Sequence, residues 1–335
     1  MKQVVIISIL MTWVLSGCFT EEEPILPIPP YEEDIELNRA ENGQAYYSLQ
    51  DRKIIKSNAV DDWDLAFSCA ENDYTILLNS ARGMGAHNTN NRDFEISYPA
   101  GDYPWIFDEC HGQEDQSCLG KWGDFSFDNP QSYGFVYLIN RGVDFRGLQT
   151  SIYKLKIQSF EKNSYNIRIG SLDGSYQREY RIDKNDSFNY VYLSFDREEV
   201  LHLEPHKDSW DLLFTPYTTD ETSSFSPMFY TVTSRDFISD GILLNPYGRE
   251  AASDTLSEFE SIDFFDVDQY AYTDTLSRIG NVWYRWNDPV SAFTITPYNT
   301  FVVRDHNLKY YAIQLESFGK KHTTWSRVKF RFKSL

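Results

Sequence analysis

Asp61-Asp-Trp-Asp-Leu-Ala-Phe67 returns later in the chain as Asp208-Ser-Trp-Asp-Leu-Leu-Phe214, and this pair of stretches decides how the sequence reads. Side chains two apart lie on one face of a β-strand. The alternation therefore predicts Trp63, Leu65 and Phe67 on one inward face, and Trp210, Leu212 and Phe214 on its counterpart. Upstream, Ala45-Tyr-Tyr-Ser-Leu49 and Lys53-Ile-Ile-Lys-Ser57 reappear in the same order and spacing as Val191-Tyr-Leu-Ser-Phe195 and Glu199-Val-Leu-His-Leu203. Downstream, Gly120-Lys-Trp122, Phe135-Val-Tyr-Leu and Tyr153-Lys-Leu-Lys-Ile-Gln-Ser-Phe160 match Gly280-Asn-Val-Trp283, Phe301-Val-Val-Arg304 and Tyr311-Ala-Ile-Gln-Leu-Glu-Ser-Phe318. Self-similarity at long period marks tandem structural units, so two related modules are expected, at 36–172 and 173–335.

Each module reads as all-β with antiparallel neighbours. Phe301 to Leu315 is a strand, a polar turn and a strand, and Arg327-Val-Lys-Phe-Arg-Phe-Lys333 alternates as a last strand with Val328, Phe330 and Phe332 inward. The 23 Tyr and 23 Phe favour strands. The polar Gly-rich stretch from Gly83 to Arg92 is expected to be a loop. Fifty acidic against 31 basic residues give a net charge of −19, which repels polyphosphates and excludes nucleic acid as a partner class.

The N-terminus carries Lys2, then an apolar run from Val4 to Leu15 that is too short to span a bilayer. It ends in Leu15-Ser16-Gly17-Cys18, which resembles a bacterial lipobox. Residues 1–17 are thus expected to be a cleaved leader, with Cys18 acylated and the protein held on the outer membrane through lipid. Residues 18–35 contain Glu21 to Glu23, four prolines and a second acidic group at Glu32, Glu33 and Asp34. Proline and like charge favour an extended tether. The acidic run also resembles the signal that carries Bacteroidetes lipoproteins to the cell surface.

Besides Cys18 there are Cys69, Cys110 and Cys118. Cys110 and Cys118 flank a polar loop and are the candidate disulfide in an oxidising compartment; Cys69, after an apolar strand, is expected to be a buried thiol. A zinc site using His111 has no Cys-x-x-Cys or His-x-x-x-His spacing behind it, so no metal site is assigned.

The aromatic strand, the polar turn, the Trp-Asp-Leu-Ala-Phe strand, the Gly-rich loop and the terminal Phe-Val-Val-Arg-Asp…Tyr-Ala-Ile-Gln meander together resemble the HmuY family of haem-binding lipoproteins, present twice. The resemblance implies a mostly β fold that binds haem at the cell surface and passes it to an outer-membrane TonB-dependent receptor. Its ligand histidine follows a Trp-x-x-Phe-Ser stretch; here Trp122-Gly-Asp-Phe-Ser126 is followed by Phe127, and Trp283-Tyr-Arg-Trp-Asn-Asp288 also lacks histidine. By this resemblance the candidate haem ligands are His111, in the acidic loop, and Met84 and His87, in the Gly-rich loop, since some members use methionine. Met228 is the sole methionine of the second module and is expected to pack a core; His202, His206, His306 and His322 read as structural.

No nucleophile elbow, His-Glu-x-x-His, phosphate loop or dinucleotide fingerprint is present, so no catalytic residue is assigned and the chain is expected not to be an enzyme. Asp263, Asp266 and Asp268 lack the Gly and closing Glu of a calcium loop. The readings that remain are a surface haem carrier, a surface lipoprotein that binds glycan or protein through its aromatic residues, or a structural module that has lost haem.

Overall fold

The computed structural model describes residues 29–108, 117–127, 130–219, 238–290, 292–297, 299–321 and 324–335. The first repeat supplies β1 (Tyr31–Asn38), β2 (Gln44–Ser48), β3 (Lys53–Asn58), β4 (Leu65–Ser68), β5 (Ile76–Leu78), β6 (Gly85–Asn88), β7 (Ile106–Phe107), β8 (Gly123–Asp124), β9 (Gln131–Ser132), β10 (Val136–Asn140), β11 (Ile152–Glu161) and β12 (Ser164–Ser171). The second supplies β13 (Gln177–Asp183), β14 (Tyr190–Ser194), β15 (Glu199–Leu201), β16 (Leu212–Thr218), β17 (Ile238–Leu244), β18 (Glu250–Asp254), β19 (Tyr284–Asn287), β20 (Ala292–Ile295), β21 (Thr300–Arg304), β22 (Tyr310–Lys321) and β23 (Trp325–Ser334). The fold is all-β, and every strand pairing is antiparallel.

The sheets exchange strands between the repeats. One pair of sheets, β13-β12-β11-β10-β6-β7 and β15-β14-β4-β5, encloses a core that includes Leu65, Phe67, Leu155, Ile167 and Leu193. The other pair, β1-β23-β22-β21-β18 and β17-β16-β2-β3, encloses a second core with Tyr47, Leu212, Phe214, Val303 and Phe330. Thus β13, β14 and β15, which open the second repeat, complete the sheets of the first, while β1, β2 and β3 complete those of the second. The division expected at 172/173 separates the repeats in sequence, but the packing runs across it: β12 pairs β13 from Ser164↔Asp183 to Gly170↔Gln177.

Register is kept in the exchange. Leu193↔Leu65 and Tyr192↔Ala66 on one side correspond to Tyr47↔Leu212 and Tyr46↔Leu213 on the other. Register also corrects one match: Tyr137 faces Leu155 as Phe301 faces Ile313, so Phe301 corresponds to Tyr137 and not to Phe135. A β-bulge interrupts β11 between Ile157 and Ser159 and β22 between Leu315 and Ser317, at the same place in each copy.

Two further expectations change. The tether assigned to 18–35 gives way to strand at Tyr31: Ile35 and Leu37 turn into the core while Asp34 pairs with Arg327 and Glu32 with Lys329 on β23. Alternation and neutralising cations outweigh the repulsion among these acids. Trp63 and Trp210 do not share the face of Leu65 and Leu212. The strands begin one residue after Asp64 and Asp211, and the irregular backbone there turns both indoles to the outer side, against Tyr192 and Tyr46.

Candidate functional site

The Gly-rich segment is built around Asn79, whose side chain accepts from the Ala81 N–H (3.1 Å) and donates to the carbonyls of Val60 and Trp63. The 3₁₀ turn Ser80–Arg82 ends at Gly83 in the left-handed region (φ 62°), and the chain enters β6 with Met84 and Ala86 in the core and His87 across from Leu138. Met84 is fully buried among apolar side chains. Because neighbouring strand positions alternate faces, Met84 and His87 leave the sheet on opposite sides. They form no joint ligand pair, and Met84 is a core filler.

His87 is half-buried and stacks on Tyr103 (centroids 5.4 Å, 30°), which meets Trp105 edge-on at 5.5 Å. Ile106 beside them is 61% exposed. Cys110 and His111 fall outside the described residues, as do Cys18, Met228 and His322. Cys118, expected in a bridge with Cys110, carries a free thiol, as does buried Cys69. Asp108 accepts from the backbone N–H groups of Leu78 and Cys118. Burial pushes the Asp108 carboxyl up to about 6, and burial also raises the Cys118 thiol.

Each repeat holds its Trp-Asp stretch with a buried ion pair. Asp64 meets Arg82 (2.9 Å) and Arg141 (2.7 Å) and accepts from the Phe195 N–H (2.7 Å). Asp211 meets Arg249 (3.0 Å) and accepts from the Leu49 N–H (2.7 Å). In both, the carboxylate of one repeat receives a backbone donor from the exchanged hairpin of the other.

Between the outer faces of β4/β14 and β16/β2 lies a cavity of about 90 Å³. Trp63 and Tyr192 stand edge-to-face at 5.1 Å, and Trp210 and Tyr46 at 5.0 Å; burial raises both tyrosine hydroxyls. Glu204 also lines it, accepting from the Tyr190 N–H (2.8 Å) and Asn189 Nδ2 (3.2 Å). Burial pushes its carboxyl up to about 7. The sequence carried a signal for this site that the motif search passed over: Tyr46 and Tyr192 recur on the face opposite the core.

His202 and His206, read as structural, are exposed and contact one ring, Phe188, at 4.9 and 6.3 Å. No cluster of three or more metal-ligating side chains occurs among the described residues. No helix among them is long and apolar enough to cross a membrane.

Fold and site together define an all-β, antiparallel protein of two strand-exchanged repeats, with aromatic side chains at the His87 surface and around the cavity. No protein-family model matches the chain, and no curated protein matches it. Among solved structures it is weakly similar to apo PinO from Porphyromonas gingivitis, with 14% identity over 55% of this chain and 96% of that one, at a TM-score of 0.17.

Proposed function

We propose that this chain is an exported lipoprotein, anchored through Cys18 at the outer-membrane surface, that captures haem with His87 as an axial ligand and passes it to a TonB-dependent receptor. The leader, lipobox and acidic proline segment support the address. The observation that carries the ligand assignment is the half-exposed His87 ring laid against Tyr103, with Trp105 and Ile106 forming an apolar wall beside it. An imidazole beside a flat apolar surface suits a haem, one for the iron and the other for the porphyrin face. His111, in the acidic stretch after Asp108, is the second candidate by sequence. Such a site captures and carries no reaction of its own.

The test is a haemin titration of the mature chain bearing Cys18→Ser. A shifted Soret band is expected, with His87→Ala weakening binding at least about tenfold, equivalent to about 1.4 kcal/mol. A variant that binds as well as the parent removes His87 from the role. A spectrum of free haemin under oxidising and reducing conditions sinks the haem reading and turns the search to glycans, which the same aromatic wall suits.

A further inference from the structure

The cavity between the repeats is symmetric in its frame and asymmetric in its chemistry. On one side the Trp63 indole N–H donates to Gln44 Oε1 at 2.7 Å, and that oxygen also accepts from Asn58 Nδ2 at 2.8 Å. On the other side the strand register puts Tyr190 where Gln44 stands, and the spacing of the two repeats in sequence aligns Glu204 with Asn58. The amide acceptor is gone, and the Trp210 indole N–H, in a side chain only 2% exposed, has no hydrogen-bond partner among the described residues. A second substitution opens space: Ala66 occupies the position that Leu213 fills in the other copy, and both line the cavity.

Buried donors are nearly always paired, and an orphaned one calls for an unseen acceptor. The cavity walls offer aromatic edges and faces from both repeats, and no lysine or arginine lines it, so an anion has no partner there. The cavity's two acidic groups are Glu204 and Asp108, and burial raises both carboxyls above their ordinary range, which disfavours the negative charge that would draw in a cation. A dry cavity of about 150 Å³ takes up benzene, so about one small ring is the upper size for a space of about 90 Å³. Water alone would satisfy the donor but would leave the apolar walls uncovered.

We propose that this cavity is a binding site for a small, uncharged, planar molecule that offers one hydrogen-bond acceptor to the Trp210 indole N–H. It is separate from the His87 surface, and its occupancy does not depend on haem.

Pyridine and benzene, alike in size and shape, separate the acceptor from the ring. The mature Cys18→Ser chain is titrated with each, at a pH where pyridine is uncharged, by saturation-transfer NMR and intrinsic tryptophan fluorescence. Pyridine is expected to bind about five- to tenfold tighter than benzene, the worth of one ordinary hydrogen bond. Trp210→Phe should bring the two ligands to equal affinity. Ala66→Leu, which installs the residue of the equivalent position, should abolish both and serves as the decisive variant if Trp210→Phe does not fold by far-UV dichroism. Equal binding of the two ligands to the parent, no binding of either, or pyridine binding that survives Ala66→Leu overturns the proposal; the second of these outcomes means the cavity holds water only.

Discussion

Asp64 and Asp211 occupy the same place in the two repeats, yet their surroundings differ in charge. Asp64 holds two buried arginines, and Arg141 reaches on to Asp196. Asp211 has Arg249 alone, and Asp305 stands where strand register places Arg141 in the first copy. Burial pushes the Asp211 carboxyl up; Arg249 pulls it back, and Asp305 adds to the rise. The backbone job is identical, since each aspartate accepts from the exchanged hairpin at 2.7 Å. The frame therefore needs a carboxylate at this position, and the number of cations around it is free to drift.

The largest effect should come from removing that carboxylate. Asp64→Asn strands Arg82 and leaves Arg141 with the exposed Asp196 as its carboxylate partner, and is expected to cost about 3–5 kcal/mol, against about 2–3 for Asp211→Asn, which strands Arg249. Urea unfolding of both variants decides this; equal losses would mean that the second arginine adds nothing.

A second contrast lies at Glu204, whose counterpart is Asn58. A carboxyl raised from 4.5 to about 7 on folding has the same proton count in both states below 4.5, so its contribution is intact there. Between 4.5 and about 7 the unfolded chain loses the proton first, and stability falls as pH rises. Glu204→Gln should flatten that fall, leaving the protein about 3 kcal/mol more stable than the parent above the window and unchanged below it. Unfolding midpoints that keep the parent's slope would show that Glu204 is ionised in the fold. Asp108 adds a smaller fall of the same sign, which Glu204→Gln leaves in place.

The third measurement bears on what the repeats share. Asn79 donates to Val60 and Trp63 carbonyls, and Asn245 to those of Lys207 and Trp210, at 2.7–2.9 Å. Alanine at either should cost about 1–3 kcal/mol, and the two losses should agree. Unequal values would place the asymmetry in the frame as well as in the charges.

Much of the fold was legible because period-two alternation reports burial directly. Leu65, Phe67, Val328, Phe330 and Phe332 are all buried as the pattern requires. The exchange was not legible. Tyr47 against Leu212 and Leu193 against Leu65 are interchangeable apolar pairs, so the sequence contains no preference for pairing within or across repeats. The site was read less well. Met84 sits two residues before Ala86 on one strand face, an alternation that marks it as a core residue and that the family's ligand pattern does not reveal. The unpaired Trp210 donor shows only when the repeats are compared residue by residue, since no single position around it is unusual.

The exchange also sets an order in time. Leu49 is 162 residues from the Asp211 that receives its N–H, and Asp34 is 293 from Arg327. The strands that enter first wait for the last to arrive, while β4 to β15 can close earlier. Long closures slow folding more than they weaken the folded state. β1 and β23 thus act as a clasp: losing β23 from the C-terminus would release β1.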